Sequence, residues 1–267
     1  MQKVAIFGVP RSGTSWLGQI LNSHPRVAFR YQPLFSYTHK AKLNERSSGE
    51  EIRSFYEEIL NTDDQFVLMK SDFTKNYPIF PKIDPPTHII FKETRYLNII
   101  NNLLVKCPEI KLIGIVRDPR SVLASWVCAP KEFKPEWKLS EEWRRAEKKN
   151  MGRKEEYFGF EKWKQSTLNF LELEKRHPDR FMLIKYIELK DKTNFILRNI
   201  FSFCNLQIEQ QTLDFIKESK SKHDNDVNSV FRGKVNNKKW EEIIPGEIKD
   251  VITDQLININ LNQFLDK

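Results

Sequence analysis

The chain has 267 residues, 39% of them hydrophobic and 30% charged, and its 44 lysines and arginines outnumber its 36 acidic residues to give a formal net charge of +8. The 19 phenylalanines and 6 tryptophans exclude a disordered chain, because that much apolar surface can offset the entropy lost on folding. The positive charge leaves nucleic acid, anionic lipid and a phosphate-bearing ligand open as partners, and a solvated basic surface explains it equally well.

Strand and helix patterns alternate along the chain. Short apolar or β-branched runs predict strands at residues 4–7, 66–69, 88–91, 111–117 and 181–186. Helical spacing, a capping box of Ser48 with Glu51, and Pro245 at a first turn predict helices near residues 14–21, 48–60, 97–105, 121–127, 141–150, 160–176, 194–204, 213–219 and from 245 onward. Between them, residues 129–139 contain prolines and indicate a lid-like excursion, and residues 220–237 are polar.

This alternation predicts an α/β fold in which one domain, residues 1–267, has a central parallel β-sheet flanked by helices. No apolar run reaches the ~20 residues that a membrane-spanning helix needs, and the first apolar stretch is too short for a signal peptide. The three cysteines, Cys107, Cys128 and Cys204, form no CxxC pair. We therefore expect no disulfide framework, no metal site and a cytoplasmic location.

The turn between the first strand and the first helix has the composition of an anion site. Its backbone N–H groups lie at the positive end of the helix dipole. Gly8 and Gly13 permit a tight turn, Arg11 adds a forked cation, and Thr14 and Ser15 add hydroxyl donors. The sequence therefore predicts a loop that binds a phosphate-like group.

Two other functions fit parts of this pattern. The spacing of Gly8 and Gly13 is similar to the nucleoside triphosphate loop, although Thr14 stands where that loop has its lysine. With Asp118 as a magnesium ligand, the protein would be a P-loop small-molecule kinase. A basic nucleic-acid-binding module is the third alternative, but no RNA- or DNA-binding motif is visible and the basic residues are scattered.

Three segments resemble the PAPS-dependent sulfotransferases, where PAPS is 3′-phosphoadenosine 5′-phosphosulfate. Pro10-Arg11-Ser12-Gly13-Thr14-Ser15-Trp16 is similar to the family's 5′-phosphosulfate loop. Arg117-Asp-Pro-Arg-Ser-Val-Leu-Ala-Ser125 resembles the 3′-phosphate motif, and Phe231-Arg232-Gly233-Lys234 with Trp240 resembles a late Arg-Lys-Gly…Trp segment. The three segments follow the family order.

The resemblance implies a P-loop-like phosphosulfate-binding loop and in-line transfer of a sulfuryl group from PAPS to an acceptor hydroxyl, without a metal and with PAP as the nucleotide product. The residues that it assigns to the nucleotide are Arg11, Ser12, Gly13, Thr14, Ser15, Trp16, Arg117, Ser125, Arg232, Gly233 and Lys234. The partner implied is a small-molecule or carbohydrate acceptor rather than a nucleic acid.

The same resemblance implies the catalytic groups. Arg11 neutralises the leaving phosphate, and Lys92 takes the place of the lysine in the family's Lys-Thr-His segment. Thr94 stands where the family has its histidine, so the proton acceptor must come from elsewhere. Glu93 is the first candidate, with Asp72 and His39 as the alternatives.

A further stretch bears on the acceptor. His24-Pro25…Tyr31-Gln32-Pro33-Leu34 resembles the His-Pro…Glu-Pro-Leu stretch of carbohydrate sulfotransferases, with Gln32 in place of the glutamate. This favours a sugar or glycolipid acceptor. The loops at residues 35–46, 129–139 and 220–230 are expected to line the acceptor pocket.

Overall fold

Five parallel strands form the centre of the protein. A computed structural model describes residues 1–72, 74, 76–224, 229–231, 233 and 237–266. The strands are β1 (Gln2–Phe7), β2 (Val27–Tyr31), β3 (His88–Glu93), β4 (Ile110–Val116) and β5 (Phe181–Lys185). The α-helices in that part of the chain are α1 (Thr14–Asn22), α2 (Gly49–Leu60), α3 (Ile100–Lys106), α4 (Pro119–Val127), α5 (Leu139–Glu142), α6 (Glu147–Asn150), α7 (Phe160–Arg176), α8 (Tyr186–Asp191), α9 (Thr193–Phe203), α10 (Gln210–Ser221), α11 (Trp240–Ile243) and α12 (Gly246–Asn258).

The sheet has the strand order β2-β3-β1-β4-β5, and every pair is parallel. The chain builds the sheet on one side of β1 and then crosses to the other side with β4. Such a reversal opens a crevice at the carboxyl ends of the strands, where ligands bind in α/β folds. The expected fold class, an α/β protein with a central parallel sheet and flanking helices, is confirmed.

Alternating side chains of the strands supply two cores, one on each face of the sheet. Val4 and Ile6 of β1 face α1, α9 and α10. Ala5 and Phe7 face the other side, where α2, α3, α4, α7 and α12 pack. Both faces are therefore covered, as a parallel sheet requires. Within the described residues, no helix combines the length and the apolar character needed to cross a membrane.

One predicted strand is wrong and another was missed. Residues 66–69 form turns, because the Oδ1 of Asp64 accepts hydrogen bonds from the N–H groups of Phe66 at 2.9 Å and Val67 at 3.1 Å. Met69 then has a φ of 60°, which no strand tolerates. A side-chain acceptor close to the backbone competes with the strand ladder here. The edge strand is β2 instead.

The helix predicted over residues 141–150 is interrupted. Ala146 has a φ of 50° and separates α5 from α6. The amide of Asn150 donates to the carbonyls of Arg145 and Phe158 at 2.8 and 2.9 Å, which stabilises the break. Helices α8 and α11 were not predicted. Pro245 caps α12 instead of lying in its first turn.

Asp118 ties the start of α4 to the end of the described chain. Its carboxylate is fully buried, accepts a hydrogen bond from the backbone N–H of Arg120 at 2.8 Å and pairs with the Arg120 guanidinium at 2.6 Å. It also accepts from the N–H of Asp266 at 2.8 Å. The guanidinium of Arg120 lies 3.8 Å from the ring centre of Trp240. Asp118 therefore serves as a helix cap and an ion-pair partner inside the protein.

We expect Asp118→Ala to lower the free energy of unfolding by about 3–5 kcal/mol, because it leaves the buried Arg120 without its counter-charge. Urea denaturation would measure the loss. Asp254→Ala removes an exposed carboxylate from α12 and serves as the control, with no measurable change expected. A loss below about 1 kcal/mol for Asp118→Ala would contradict this assignment.

Candidate active site

A cavity of about 760 Å³ opens at the carboxyl edge of the sheet. Its walls come from the ends of β2 and β3 and the segments that follow the five strands, together with parts of α4, α10, α11 and the chain between α10 and α11. These elements lie far apart in the sequence. The parallel sheet brings them together because all its strands end at this edge.

The loop after β1 has little freedom to change shape. Gly13 has a φ of 95°, and a Cβ there would lie 2.4 Å from Cδ2 of Tyr186. A Cβ on Gly8 would lie 2.8 Å from the carbonyl oxygen of Ile115. Arg11 also has a positive φ, 72°. Close contact therefore excludes a side chain at both glycines, and the positive φ of Gly13 is a further reason for glycine there.

Helix α1 begins directly at the cavity. Gly13, Thr14, Ser15 and Trp16 line it, as expected for the anion-binding loop. The first N–H groups of a helix lack intrahelical partners and carry the positive end of its dipole. Ser12 is different: it does not line the cavity, and its buried Oγ has no hydrogen-bond partner. The Ser12 side chain lies beneath the loop, in a small void beside Val9 and Trp163.

Two arginines from separate strand ends meet at this loop. The Nε of Arg11 donates to the Oγ of Ser125 at 3.1 Å. The Nη1 of Arg117 donates to the carbonyl oxygen of Arg11 at 3.4 Å. The Arg117 guanidinium lies 4.8 Å from the ring centre of Tyr186, and its Nε is buried without a hydrogen-bond partner. The side chains that line the cavity here are Arg11, Arg117, Ser125 and Tyr186. The forked guanidinium of Arg117 therefore offers the cavity a hydrogen-bond donor that the protein does not use.

Lys92, near the end of β3, is a buried cation in the same cavity. It is 1% exposed, its ammonium donates to the Oγ of Ser15 at 3.3 Å, and it lies 4.4 Å from the ring centre of Tyr31. Burial lowers the pKa of Lys92 to about 7. The hydroxyl of Tyr77 also donates to the Ser15 Oγ, at 3.2 Å. An anion beside Lys92 would favour its charged form.

The three expected proton acceptors lie outside the cavity lining. The Oε1 of Glu93 accepts from the N–H of Leu34 at 2.7 Å, its Oε2 is buried without a hydrogen-bond partner, and burial raises its pKa to about 8. The Nε2 of His39 lies 2.9 Å from the Oγ1 of Thr62. Asp72 is exposed. Glu93 therefore braces the turn after Gln32 instead of facing the cavity.

Some cavity residues lie in segments that the sequence singled out without a motif for the residue itself. Glu132 belongs to the loop at residues 129–139, which was expected to line the acceptor pocket, and its Oε2 lies 3.8 Å from the Nη1 of Arg11. Tyr186 stands at the end of the strand predicted at residues 181–186 and also lines the cavity. Lys190 and Lys239 add cations. Trp137 and Trp143 pack against the core cluster rather than lining the cavity.

Part of the late segment, Phe231-Arg232-Gly233-Lys234 with Trp240, lines the cavity. Gly233 lines the cavity, and a Cβ there would lie 2.3 Å from the carbonyl oxygen of Lys220. Trp240 lines it as well. Arg232 and Lys234, which were expected to bind the nucleotide, lie outside the described residues.

Charge in the cavity favours an anionic ligand. Among the described lining residues, the lysines and arginines are Arg11, Lys92, Arg117, Lys190, Lys220 and Lys239, whereas the carboxylates are Glu132 and Asp191. Asp118 does not line the cavity, because its carboxylate is occupied by Arg120 and Asp266. The magnesium ligand that a kinase would need is therefore absent from the position predicted for it.

Comparisons with known proteins agree with this geometry. The family model described as "Sulfotransferase family" matches residues 3–210. A search of curated proteins finds no match. The solved structures that share the fold include a mouse sulfotransferase complexed with PAP, with 16% identity and a TM-score of 0.55 over 98% of this chain and 87% of that one.

Two further structures have the same fold. The sulfotransferase domain of the Synechococcus PCC 7002 olefin synthase has 18% identity and a TM-score of 0.56, over 96% of this chain and 93% of that one. Retinol dehydratase in complex with androsterone and inactive cofactor PAP has 14% identity and a TM-score of 0.57, over 99% of this chain and 82% of that one. Since the family model covers most of the chain and the fold agrees, the chain belongs to the sulfotransferase family.

Proposed function

We propose that the protein transfers a sulfuryl group from PAPS to the hydroxyl of a small-molecule or carbohydrate acceptor. One observation carries this proposal: Arg11, Lys92 and Arg117, from the ends of three neighbouring strands, line one cavity together with the start of α1. A cytoplasmic location belongs to the same proposal.

The residues fit a nucleotide with an anionic group at each end. The start of α1, with Ser15 and the Lys92 ammonium, suits a phosphosulfate. Arg117 and Ser125 suit a terminal phosphate, because a guanidinium fork and a hydroxyl both donate to phosphate oxygens. The buried Nε of Arg117, which has no hydrogen-bond partner, gives that fork a donor to spare. The mouse sulfotransferase and retinol dehydratase were both crystallised with PAP, which supports the same nucleotide here.

PAPS would supply a sulfuryl group already joined to a phosphate leaving group. The chain's part is to hold that group in line with the acceptor and to stabilise the negative charge that grows on the phosphate oxygens. Arg11 and Lys92 are the cations we assign to this role. Because Lys92 is buried, its charge acts across a medium of low dielectric constant and is stronger than it would be in water.

We assign the acceptor to the polar part of the cavity around Lys92. Gln32 and Thr94 line it beside Lys92 and Tyr31, and the N–H of Gln32 donates to the carbonyl of Lys92 at 3.0 Å. Amide and hydroxyl groups recognise hydroxyl-rich ligands. This supports a sugar or glycolipid acceptor.

Arg11→Ala should reduce turnover of radiolabelled PAPS by at least about a hundredfold, since it removes a group that stabilises charge in the transition state. Calorimetry with PAP accompanies the assay and tests the function itself. A wild-type protein that binds ATP with magnesium but does not bind PAP would overturn the sulfotransferase assignment in favour of the kinase. Near-normal turnover by Arg11→Ala would remove Arg11 from the catalytic group.

Arg117→Ala should weaken PAP binding far more than binding of adenosine 5′-monophosphate, which lacks the 3′-phosphate. Loss of a charge-assisted hydrogen bond costs about 1.5–3 kcal/mol, or roughly ten- to a hundredfold in affinity. Calorimetric titration of both nucleotides measures the difference. Arg176→Ala, an exposed arginine at the end of α7, is the control. Equal losses for the two nucleotides would place Arg117 away from the 3′-phosphate.

Binding of PAP should take up a proton at alkaline pH. With its pKa lowered to about 7, Lys92 is mostly neutral above that pH, and the bound anion restores its charge. Uptake should approach about one proton near pH 8.5 and disappear as the pH falls well below 7. Calorimetry in buffers of different ionisation enthalpy measures it.

Two variants identify the group that takes up that proton. Lys92→Met should abolish the uptake, whereas Glu93→Gln should retain it, although burial raises the pKa of Glu93 to about 8. Uptake that persists in Lys92→Met would show that another group takes the proton.

A further inference from the structure

Glu132 is an acidic residue that lines the same cavity as Arg11 and Lys92. Its Oε2 lies 3.8 Å from the Nη1 of Arg11, is buried and has no hydrogen-bond partner. The charge of Glu132 raises the pKa values of both Lys92 and Tyr31, so it acts on both side chains. Asp191, the other carboxylate among the described lining residues, adjoins Lys190 at the end of α8.

The backbone that presents Glu132 is fixed by its neighbours. Its N–H donates to the carbonyl of Ala129 at 2.8 Å, and its carbonyl accepts from the indole Nε1 of Trp126 at 3.1 Å. The next residue, Phe133, is buried with its ring centre 5.0 Å from that of Trp126. The side chain of Glu132 remains 30% exposed, which leaves it a route to solvent. A carboxylate held in this way can receive a proton in the cavity and release it to water.

Four other titratable side chains near the site are less suited than Glu132 to accept the acceptor's proton. His223 also lines the cavity, from the segment that follows α10. Glu93 and His39 lie outside the cavity lining, where Glu93 holds the N–H of Leu34 and His39 contacts Thr62. Burial holds the pKa of Tyr31 well above its usual value, so Tyr31 keeps its own proton. Lys92 is needed in its charged form beside the anion.

We propose that Glu132 is the catalytic base that accepts the proton of the acceptor hydroxyl. This assignment rests on the proposed sulfotransferase function. The acceptor O–H bond breaks as its proton passes to the Glu132 carboxylate, and the acceptor oxygen forms a bond to sulfur. The bond between sulfur and the 5′-phosphate oxygen breaks, and its electron pair stays on PAP. Protonated Glu132 then loses its proton to solvent.

The ion pair of Glu132 with Arg11 is consistent with this role. It places the base beside the cation that we assign to the leaving phosphate, at an Oε2–Nη1 distance of 3.8 Å. A base for the acceptor proton and a cation for the leaving phosphate are the two groups that proton removal and charge stabilisation require.

The test compares a reaction that needs a base with one that does not. Transfer from PAPS to glycerol, used as a probe hydroxyl, requires removal of a proton. The reaction of p-nitrophenyl sulfate with PAP requires none, because nitrophenolate leaves as an anion and the attacking phosphate has no proton to lose. The variants are Glu132→Gln, Glu93→Gln and Glu136→Gln, the last being an exposed glutamate on the same segment.

Glu132→Gln should lose at least about a hundredfold in transfer to glycerol, together with the acidic limb of the pH–rate profile. Its reaction with p-nitrophenyl sulfate should match the wild type, and its PAP affinity should be unchanged or tighter. Glu136→Gln and Glu93→Gln should transfer to glycerol normally.

Four results would overturn the assignment. Normal transfer to glycerol by Glu132→Gln excludes it as the base. Equal loss of both reactions shows that Glu132 only orients Arg11. A selective loss in Glu93→Gln instead would move the role to Glu93. Failure of the wild type to bind PAP would refute the proposed function itself, and the assignment of Glu132 with it.

Discussion

The parallel pairing of β1 with both β3 and β4 is the constraint on which the site depends. Phe7, the last residue of β1, pairs with Glu93 on one side and with Gly114 on the other. The three strands therefore end close together. Because of this register, the loop after β1 lies between Lys92 and Arg117 without any direct connection in the sequence. A shift of one residue in either pair would turn every side chain of the strand to the other face.

Contacts beneath and beside the loop convert this placement into a defined shape. Gly8 packs against the backbone of β4 at Ile115, and Gly13 packs against the ring of Tyr186, which follows β5. The same ring stacks on the guanidinium of Arg117. Tyr186 thus links the anion loop to the arginine expected to bind the 3′-phosphate. Its role is one of position, and it explains why an aromatic residue lies directly after the strand.

The parts of the structure that the sequence predicted well are those with a local cause. Helix α7 begins and ends where its apolar spacing indicated, and α2 has the capping box of Ser48 and Glu51. The parts it missed depend on tertiary contacts. β2 is an edge strand, and the side chain of its Arg30 donates to carbonyls at the end of α2, a contact that no local pattern contains. Residues 66–69 looked like a strand until the carboxylate of Asp64 competed for their N–H groups.

The candidate site likewise contains some residues whose position local sequence predicts and others whose position depends on tertiary contacts. Lys92 and Glu93 are consecutive residues of a strand, and consecutive side chains of a strand point to opposite faces. A sequence argument that puts Lys92 in the cavity therefore turns Glu93 away from it, and Thr94, which lines the cavity, returns to the side of Lys92. Alternation alone could have removed Glu93 from the lining. It could not have supplied Glu132, whose position depends on the packing of Trp126 against Phe133. The residues expected to hold the nucleotide follow from short motifs, whereas the part of the cavity around Glu132 is built by tertiary packing.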